Sequence, residues 1–170
     1  NVIIRDLKRI AAKFGDDRRT KIHEKGEIVQ VDKRDLIADE QVMVALTRDG
    51  YIKRSSLKSY RSSGDFALPG VKSSDLLVAS AEVNTKDFLV CFTNLGNFLY
   101  IPVYEINEGR WKDEGKHINY IVQLNPDEKI IKVFNVKDFR ADLYFAIATR
   151  NGMIKRTSVS EFVAVRYSRP

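Results

Sequence analysis

The sequence has one cysteine in 170 residues, so no internal disulfide can form. Cys91 sits inside the apolar run Phe88-Leu89-Val90-Cys91-Phe92, where a cysteine reads as a small buried hydrophobe rather than a reactive thiol. Histidine is almost as scarce. His23 and His117 lie far apart, and with no cysteine pair they do not form a zinc-site pattern. No glycine-rich loop ends in Lys-Ser or Lys-Thr, as a phosphate cradle requires. Neither Ser55-Ser56 nor Ser62-Ser63 lies in a strand-to-helix nucleophile elbow. Carboxylates are plentiful but scatter through turns. Together these absences point away from catalysis within the chain, and no metal or cofactor site is expected in it. No apolar run approaches the ~20 residues that would span a bilayer. Asn1-Val2-Ile3-Ile4-Arg5 lacks the basic start and apolar core of a secretory signal. The expected location is the cytoplasm.

With 44% apolar and 31% charged residues, the composition is that of a globular protein with a core. The net charge of +6 suggests a polyanionic partner, and its distribution says more. Residues 1–41 carry +1, 42–87 carry +2, 88–142 carry −1 and 143–170 carry +4. The chain opens without methionine and stops at Arg166-Tyr167-Ser168-Arg169-Pro170, and it reads as a piece of something larger.

Ile3, Leu7, Ile10 and Phe14 fall on one stripe of a helix, which Gly15 should end. Gly15-Asp16-Asp17-Arg18-Arg19-Thr20 then reads as a charged connector. Beyond it the pattern changes to short strands, and three segments align: VMVALTRDGYIKRSSLKSY from Val42, FLVCFTNLGNFLYIPVYEI from Phe88 and LYFAIATRNGMIKRTSVSEF from Leu143. Each has an apolar run, then Thr47, Thr93 or Thr149, then Gly50, Gly96 or Gly152 three residues on. Each continues with an aliphatic residue and a large apolar one three later: Leu57 and Tyr60, Val103 and Ile106, Val159 and Phe162.

Asp49-Gly50 and Asn151-Gly152 match two-residue type I′ hairpin turns, whose two central positions need positive φ. Leu95-Gly96 fits that geometry less well. The consecutive apolar residues before each turn call for strands covered on both faces. A further strand candidate lies upstream of each copy, at Glu27–Val31, Leu76–Val83 and Ile130–Val136, making each copy a small antiparallel sheet. Repeats of about fifty residues with several strands indicate radial, propeller-like blades. A β-sandwich would require the hairpin similarity to be accidental. The expected class is therefore mainly β, with about three blades preceded by an α-helix.

The basic pairs Lys53-Arg54 and Lys155-Arg156 recur in register after the first and third turns, where the middle copy has Leu99-Tyr100. Successive strand residues face opposite ways, so one member of each pair is expected to face a given groove. Arg48, Lys58, Arg61, Lys72, Arg150, Arg166 and Arg169 extend the basic track. Such a track would meet duplex DNA mainly through phosphates. The competing use of strand-end lysines is to protect sheet edges. Phe66, Tyr104, Trp111 and Tyr120 could stack on bases, but core or inter-blade packing is the expectation for them.

The helix end, FGDDRRT, and KIHEKGEIVQVDKRDLIADEQVMVALTRDGYIKR together resemble the A subunits of bacterial type IIA topoisomerases, DNA gyrase and topoisomerase IV. The resemblance covers essentially the whole chain. It implies that residues 1–20 are the end of a coiled-coil helix and the connector from a cleavage core. Residues 21–170 would be the first blades of a C-terminal DNA-binding β-pinwheel. It further implies DNA positioning for strand passage that relaxes supercoils and decatenates chromosomes. The DNA-binding candidates, taken from the basic pairs and track, are Lys53, Arg54, Lys58, Arg61, Lys72, Lys155, Arg156, Arg166 and Arg169. Its partners would be duplex DNA, the B subunit in a holoenzyme of two A and two B subunits, and a second A subunit bound through regions outside this chain. ATP and Mg2+ would act in the cleavage core and on the B subunit; the active-site tyrosine would lie upstream of Asn1. Location would be the nucleoid, or peripheral to the membrane. Gyrases carry a QRRGGKG-type box where this sequence has Arg61-Ser62-Ser63-Gly64-Asp65-Phe66-Ala67-Leu68-Pro69-Gly70. Only Arg61, Gly64 and Gly70 match it, which favours the topoisomerase IV branch.

Overall fold

The computed structural model describes residues 2–16, 33–64 and 66–164. It divides into two compact units, 1–31 and 32–170. The expected boundary after residue 20, the strand candidate at 27–31 and most of the connector lie outside the described residues, as do Arg166 and Arg169. The first unit holds helix α1, Val2–Phe14. Gly15 N donates to Ala11 O at 2.8 Å, closing the last turn at the glycine expected to stop it.

The second unit is built from three hairpins. Strands β1 (Gln41–Thr47) and β2 (Tyr51–Ser56) form the first, and α2 (Leu57–Ser62) follows them. β3 is Leu77–Asn84; β4 (Phe88–Thr93) and β5 (Phe98–Pro102) form the second hairpin. β6 (Lys116–His117) and β7 (Ile130–Val136) precede the third, β8 (Tyr144–Ala148) with β9 (Ile154–Ser158). The sheets run β3-β1-β2-β6, β5-β4-β7 and β8-β9.

The hairpin turns differ from the type I′ expectation. In all three the glycine alone has positive φ: 91° at Gly50, 86° at Gly96 and 78° at Gly152. Each glycine N–H donates to the carbonyl of the threonine three residues earlier, at 3.1, 3.2 and 3.0 Å. This is a three-residue loop, a type I turn closed by a left-handed glycine. The residue before glycine needs no special φ, which is why Leu95 fits as well as Asp49 or Asn151. The repeated threonine also has a structural role. Its Oγ1 accepts from the N–H four residues on: Tyr51 at 3.0 Å, Asn97 at 3.3 Å and Met153 at 3.2 Å.

The apolar pair after each hairpin is explained by a single helical turn, α2 in the first copy and 3-10 turns at Val103–Glu105 and Val159–Phe162 in the others. Spacing of three brings both residues to one side of such a turn. Val103, Ile106, Val159 and Phe162 are buried, and Leu57 and Tyr60 pack against buried residues. Ser56 and Ser158 cap their turns through Oγ.

The strands upstream of the second and third hairpins do not join their own copies. β3 pairs with β1 (Val42↔Val83), and β7 pairs with β4 (Phe88↔Val136). Only residues 85–87 separate β3 from β4, and they form a corner between sheets. Thr85 Oγ1 donates to Ala38 O at 2.6 Å, and Asp87 Oδ2 accepts from Asn84 N and Asn135 Nδ2. The first two sheets are thereby finished by chain belonging to the next repeat.

Both faces of β1 and β4 are covered, as their apolar runs require. Val42, Val44 and Leu46 meet Leu89, Cys91, Leu99 and Ile101 between the first two sheets. Burial pushes the Cys91 thiol far above its ordinary pKa, which suits a packing role. Val90, Phe92 and Phe98 face Phe145 and Phe162 between the second and third sheets. The other face of the first sheet carries Met43 and Ala45 under Trp111. β8 departs from the expectation: Tyr144, Ala146 and Ala148 are exposed, because the third sheet has no layer on that side among the described residues.

Candidate nucleic-acid interface

The two basic pairs occupy equivalent positions on β2 and β9 but have different surroundings. Ala45 opposes Lys53 and Val44 opposes Arg54, so the pair divides between the two faces of its sheet, as alternation demands. Lys53 falls on the Trp111 side and is buried at 2% exposure. Its Nζ donates to the carbonyl oxygens of Trp111 and Asp113 and, at 3.4 Å, of Gly70. It also lies 5.3 Å from the centroid of the Trp111 ring. Desolvation lowers its pKa to about 8, partly offset by the Asp113 carboxylate. Lys53 is therefore corrected from a surface cation to an internal tie. Nothing in its local sequence announces this, because the three carbonyls come from 17 to 60 residues away.

Arg54 keeps 20% side-chain exposure; Nη1 donates to Tyr104 O at 3.3 Å and Nη2 lies 3.9 Å from Glu108. Lys155 and Arg156, by contrast, are exposed. Lys155 lines the open cleft between the second and third sheets, and the Arg156 guanidinium stacks 4.3 Å from the Tyr144 ring centroid. In the middle copy Leu99 and Tyr100 are buried, Tyr100 within 4.9 Å of the Phe88 ring, so this blade offers no cation there.

Lys58 and Arg61 stand exposed on α2. Lys72 is half-buried; Nζ donates to the Tyr51 hydroxyl at 2.6 Å, which raises the lysine pKa. The fold adds two cations absent from the sequence-based set, Arg110 and Lys112. Both are exposed and flank Trp111, whose N–H donates to Ser59 Oγ at 3.2 Å and whose ring meets Tyr60 edge-on at 5.1 Å. The one signal for them is the Arg-Trp-Lys triplet around a lone tryptophan. Trp111 thus ties together two segments that carry exposed cations, α2 with Lys58 and Arg61 and the 110–112 turn with Arg110 and Lys112.

Of the four aromatics, Trp111 is buried at 1% exposure, as expected of core packing. Tyr120 is exposed at 43%, with its hydroxyl accepting from Asn107 N. Phe66 is the clear departure: it is 93% exposed, and its φ of 62° is left-handed. Among the described residues no three His, Cys, Asp or Glu side chains gather as metal ligands, and no helix is long and apolar enough to cross a membrane.

The family model for the DNA gyrase C-terminal domain, beta-propeller, matches residues 41–64, 87–137 and 144–168, one segment for each hairpin. The A subunit of DNA topoisomerase 4 from Staphylococcus aureus strain MRSA252 is 42% identical over the whole chain, which spans 21% of that protein. The solved C-terminal domain of a DNA topoisomerase IV superposes with a TM-score of 0.70 at 49% identity, covering 79% of this chain and 41% of that one. A DNA gyrase A C-terminal domain gives 0.54 at 29% identity, covering 72% and 41%. The E. coli ParC C-terminal domain shares the fold, with a TM-score of 0.57 at 16% identity over 76% and 49% of the two chains.

Proposed function

Because the chain belongs to the DNA gyrase C-terminal domain, beta-propeller family, we propose that it holds and bends duplex DNA within a topoisomerase IV A subunit. In this reading it positions DNA for ATP-dependent strand passage that relaxes supercoils and decatenates chromosomes. The chemistry is done elsewhere: cleavage in a core preceding residue 1, ATP hydrolysis on the B subunit. Residues 1–20 bring the chain from that core, and residues 21–170 are the first blades. Two A and two B subunits form the working assembly, at the nucleoid.

The observation that carries the reading is the set of exposed cations, Lys58 and Arg61 on α2 with Lys155 and Arg156 on β9. Arg110 and Lys112 add to the first group, Arg54 and Lys72 add partly exposed cations elsewhere at the first sheet, and Arg166 and Arg169 would extend the second. Lys53 is left out, since its ammonium is spent on carbonyls. The stronger likeness to topoisomerase IV sequences than to gyrase supports that branch.

The test is duplex binding as a function of salt. Affinity should fall steeply and linearly on logarithmic axes, with little dependence on base sequence. Replacing Lys58, Arg61, Lys155 and Arg156 by alanine should flatten the slope by roughly three to four, near 0.9 for each phosphate no longer neutralised. Binding that ignored salt, or a slope unchanged in that variant, would leave a propeller-type protein-interaction module as the better description.

A further inference from the structure

Within that DNA-binding reading, on which this inference rests, we propose that Phe66, with Leu68 beside it, is an apolar wedge. It would enter the minor groove of the bound duplex at a base step and set the position of a bend. The two side chains are 93% and 78% exposed, the first held at a φ of 62°. An exposed aromatic on a left-handed residue is unfavourable twice over, in hydration and in backbone conformation. A slack loop would relax by turning the ring inward. This loop is tied down on both sides of the protrusion.

Trp111 Nε1 donates to Ala67 O at 2.7 Å, and Ala67 N donates to Gly64 O at 3.1 Å. At the far end Gly70 N donates to Trp111 O at 3.0 Å, and Lys53 Nζ reaches Gly70 O. Gly70 permits the approach: a Cβ there would lie 2.0 Å from Lys112 O. Buried Lys53 and Trp111 therefore clamp a short segment whose two large apolar side chains are left pointing into solvent.

The surroundings identify the occupant. Lys58 and Arg61 are exposed on α2, whose Ser59 Oγ accepts from Trp111 N, and the exposed Arg110 and Lys112 flank Trp111 in the chain. Of the acids in that turn, Asp113 is engaged by Arg110 N at 3.2 Å, while Glu114 is exposed. An apolar projection on a loop tied to the same tryptophan as two cation-bearing segments matches a groove bordered by phosphates. Side chains such as Phe and Leu enter the minor groove in this way, unstacking a step and kinking the duplex. The bend then has a local cause beyond attraction to a charged rim.

The experiment takes the full-length subunit with a short duplex labelled at both ends for energy transfer, and 2-aminopurine scanned along it. The wild type should shorten the end-to-end distance and brighten 2-aminopurine at one step. Phe66→Ala and Phe66→Gly should lose both signals and weaken binding roughly tenfold, the order of one mismatched base pair in a site, with the salt slope unchanged. Phe66→Gly also relieves the backbone strain, so its melting temperature should not fall, which separates loss of the wedge from loss of the fold. Phe66→Trp should keep the bend and show tryptophan quenching on DNA. Bending and unstacking that persist in both Phe66→Ala and Phe66→Gly overturn the wedge while leaving DNA binding in place. Signals that vanish together with the salt slope overturn it as a separate determinant. A wild type that does not bind duplex overturns both readings.

Discussion

Replacing Lys53 and Lys155 separately by alanine puts the interpretation of the basic pairs at risk, because the two occupy the same place in the repeat. Lys53 buries a four-methylene stem beside Trp111, and burial is worth ~0.8 kcal/mol per methylene. Its ammonium also serves the carbonyls of Gly70, Trp111 and Asp113; Trp111 O keeps the Gly70 N–H, but an acceptor left without a donor costs about 1–3 kcal/mol. Relief of the desolvated charge returns part of this. The net expected destabilisation is about 3 kcal/mol, or roughly 6–12 °C in melting temperature for a domain of this size. The salt slope of DNA binding should not move. Lys155→Ala should do the reverse, staying within about 0.5 kcal/mol of wild type in stability and lowering the salt slope by about 0.9. Lys53→Met keeps the stem and removes the donors, so it should fall between Lys53→Ala and wild type in stability. The assays are thermal or urea unfolding and salt-dependent anisotropy on a labelled duplex. A Lys53→Ala protein with wild-type stability and a flattened salt slope would refute the reasoning.

The Lys53 tie is also pH-sensitive. Its folded pKa of about 8 lies below the unfolded 10.5, so between these values the unfolded chain binds the extra proton and stability rises with pH. Wild type minus Lys53→Met, compared by urea unfolding from pH 7.5 to 10.5, should show that gain; a flat difference speaks against the burial. At Glu128, burial pushes the carboxyl up, but hydrogen bonds from Thr93, Asn97 and Asn125 outweigh it and hold its pKa below the usual range. Its stabilising effect should be full above the unfolded carboxylate pKa and be lost as pH falls through the folded one. Glu128→Gln should flatten the acid limb of the stability profile. Gly50→Ala and Gly152→Ala both strain a left-handed turn, at roughly 1–2 kcal/mol, but only at Gly50 would the new Cβ also meet Leu124, Ile118 and His117 at 3.1–3.3 Å. Thermal melts should therefore rank Gly50→Ala as the more damaging, and equal losses would contradict the packing of that turn.

The repeat is legible in the sequence because each of its signals is local. Thr47, Thr93 and Thr149 close turns within four residues, the three glycines supply the left-handed position, and the paired apolar residues each span one helical turn. The apolar runs of β1 and β4 correctly require cover on both faces. The turn type is not legible in the same way, because Asp-Gly and Asn-Gly suit two hairpin geometries. Leu95 is the one residue that favours the geometry observed.

What the sequence by itself determined, then, was a succession of hairpin units carrying positive charge in register, since turn chemistry and strand alternation act over a few residues. Only the tertiary structure decided that the strands before the second and third hairpins finish the previous sheet, because pairing is settled by which edge the linking corner can reach. It likewise decided the fate of the two equivalent lysines. Carbonyls up to 60 residues away enclose Lys53, and no such segment covers Lys155 among the described residues. The same enclosure, through Trp111, leaves Phe66 facing solvent. Burial depends on what chain folds back over a position, and that information is not written next to the residue it buries.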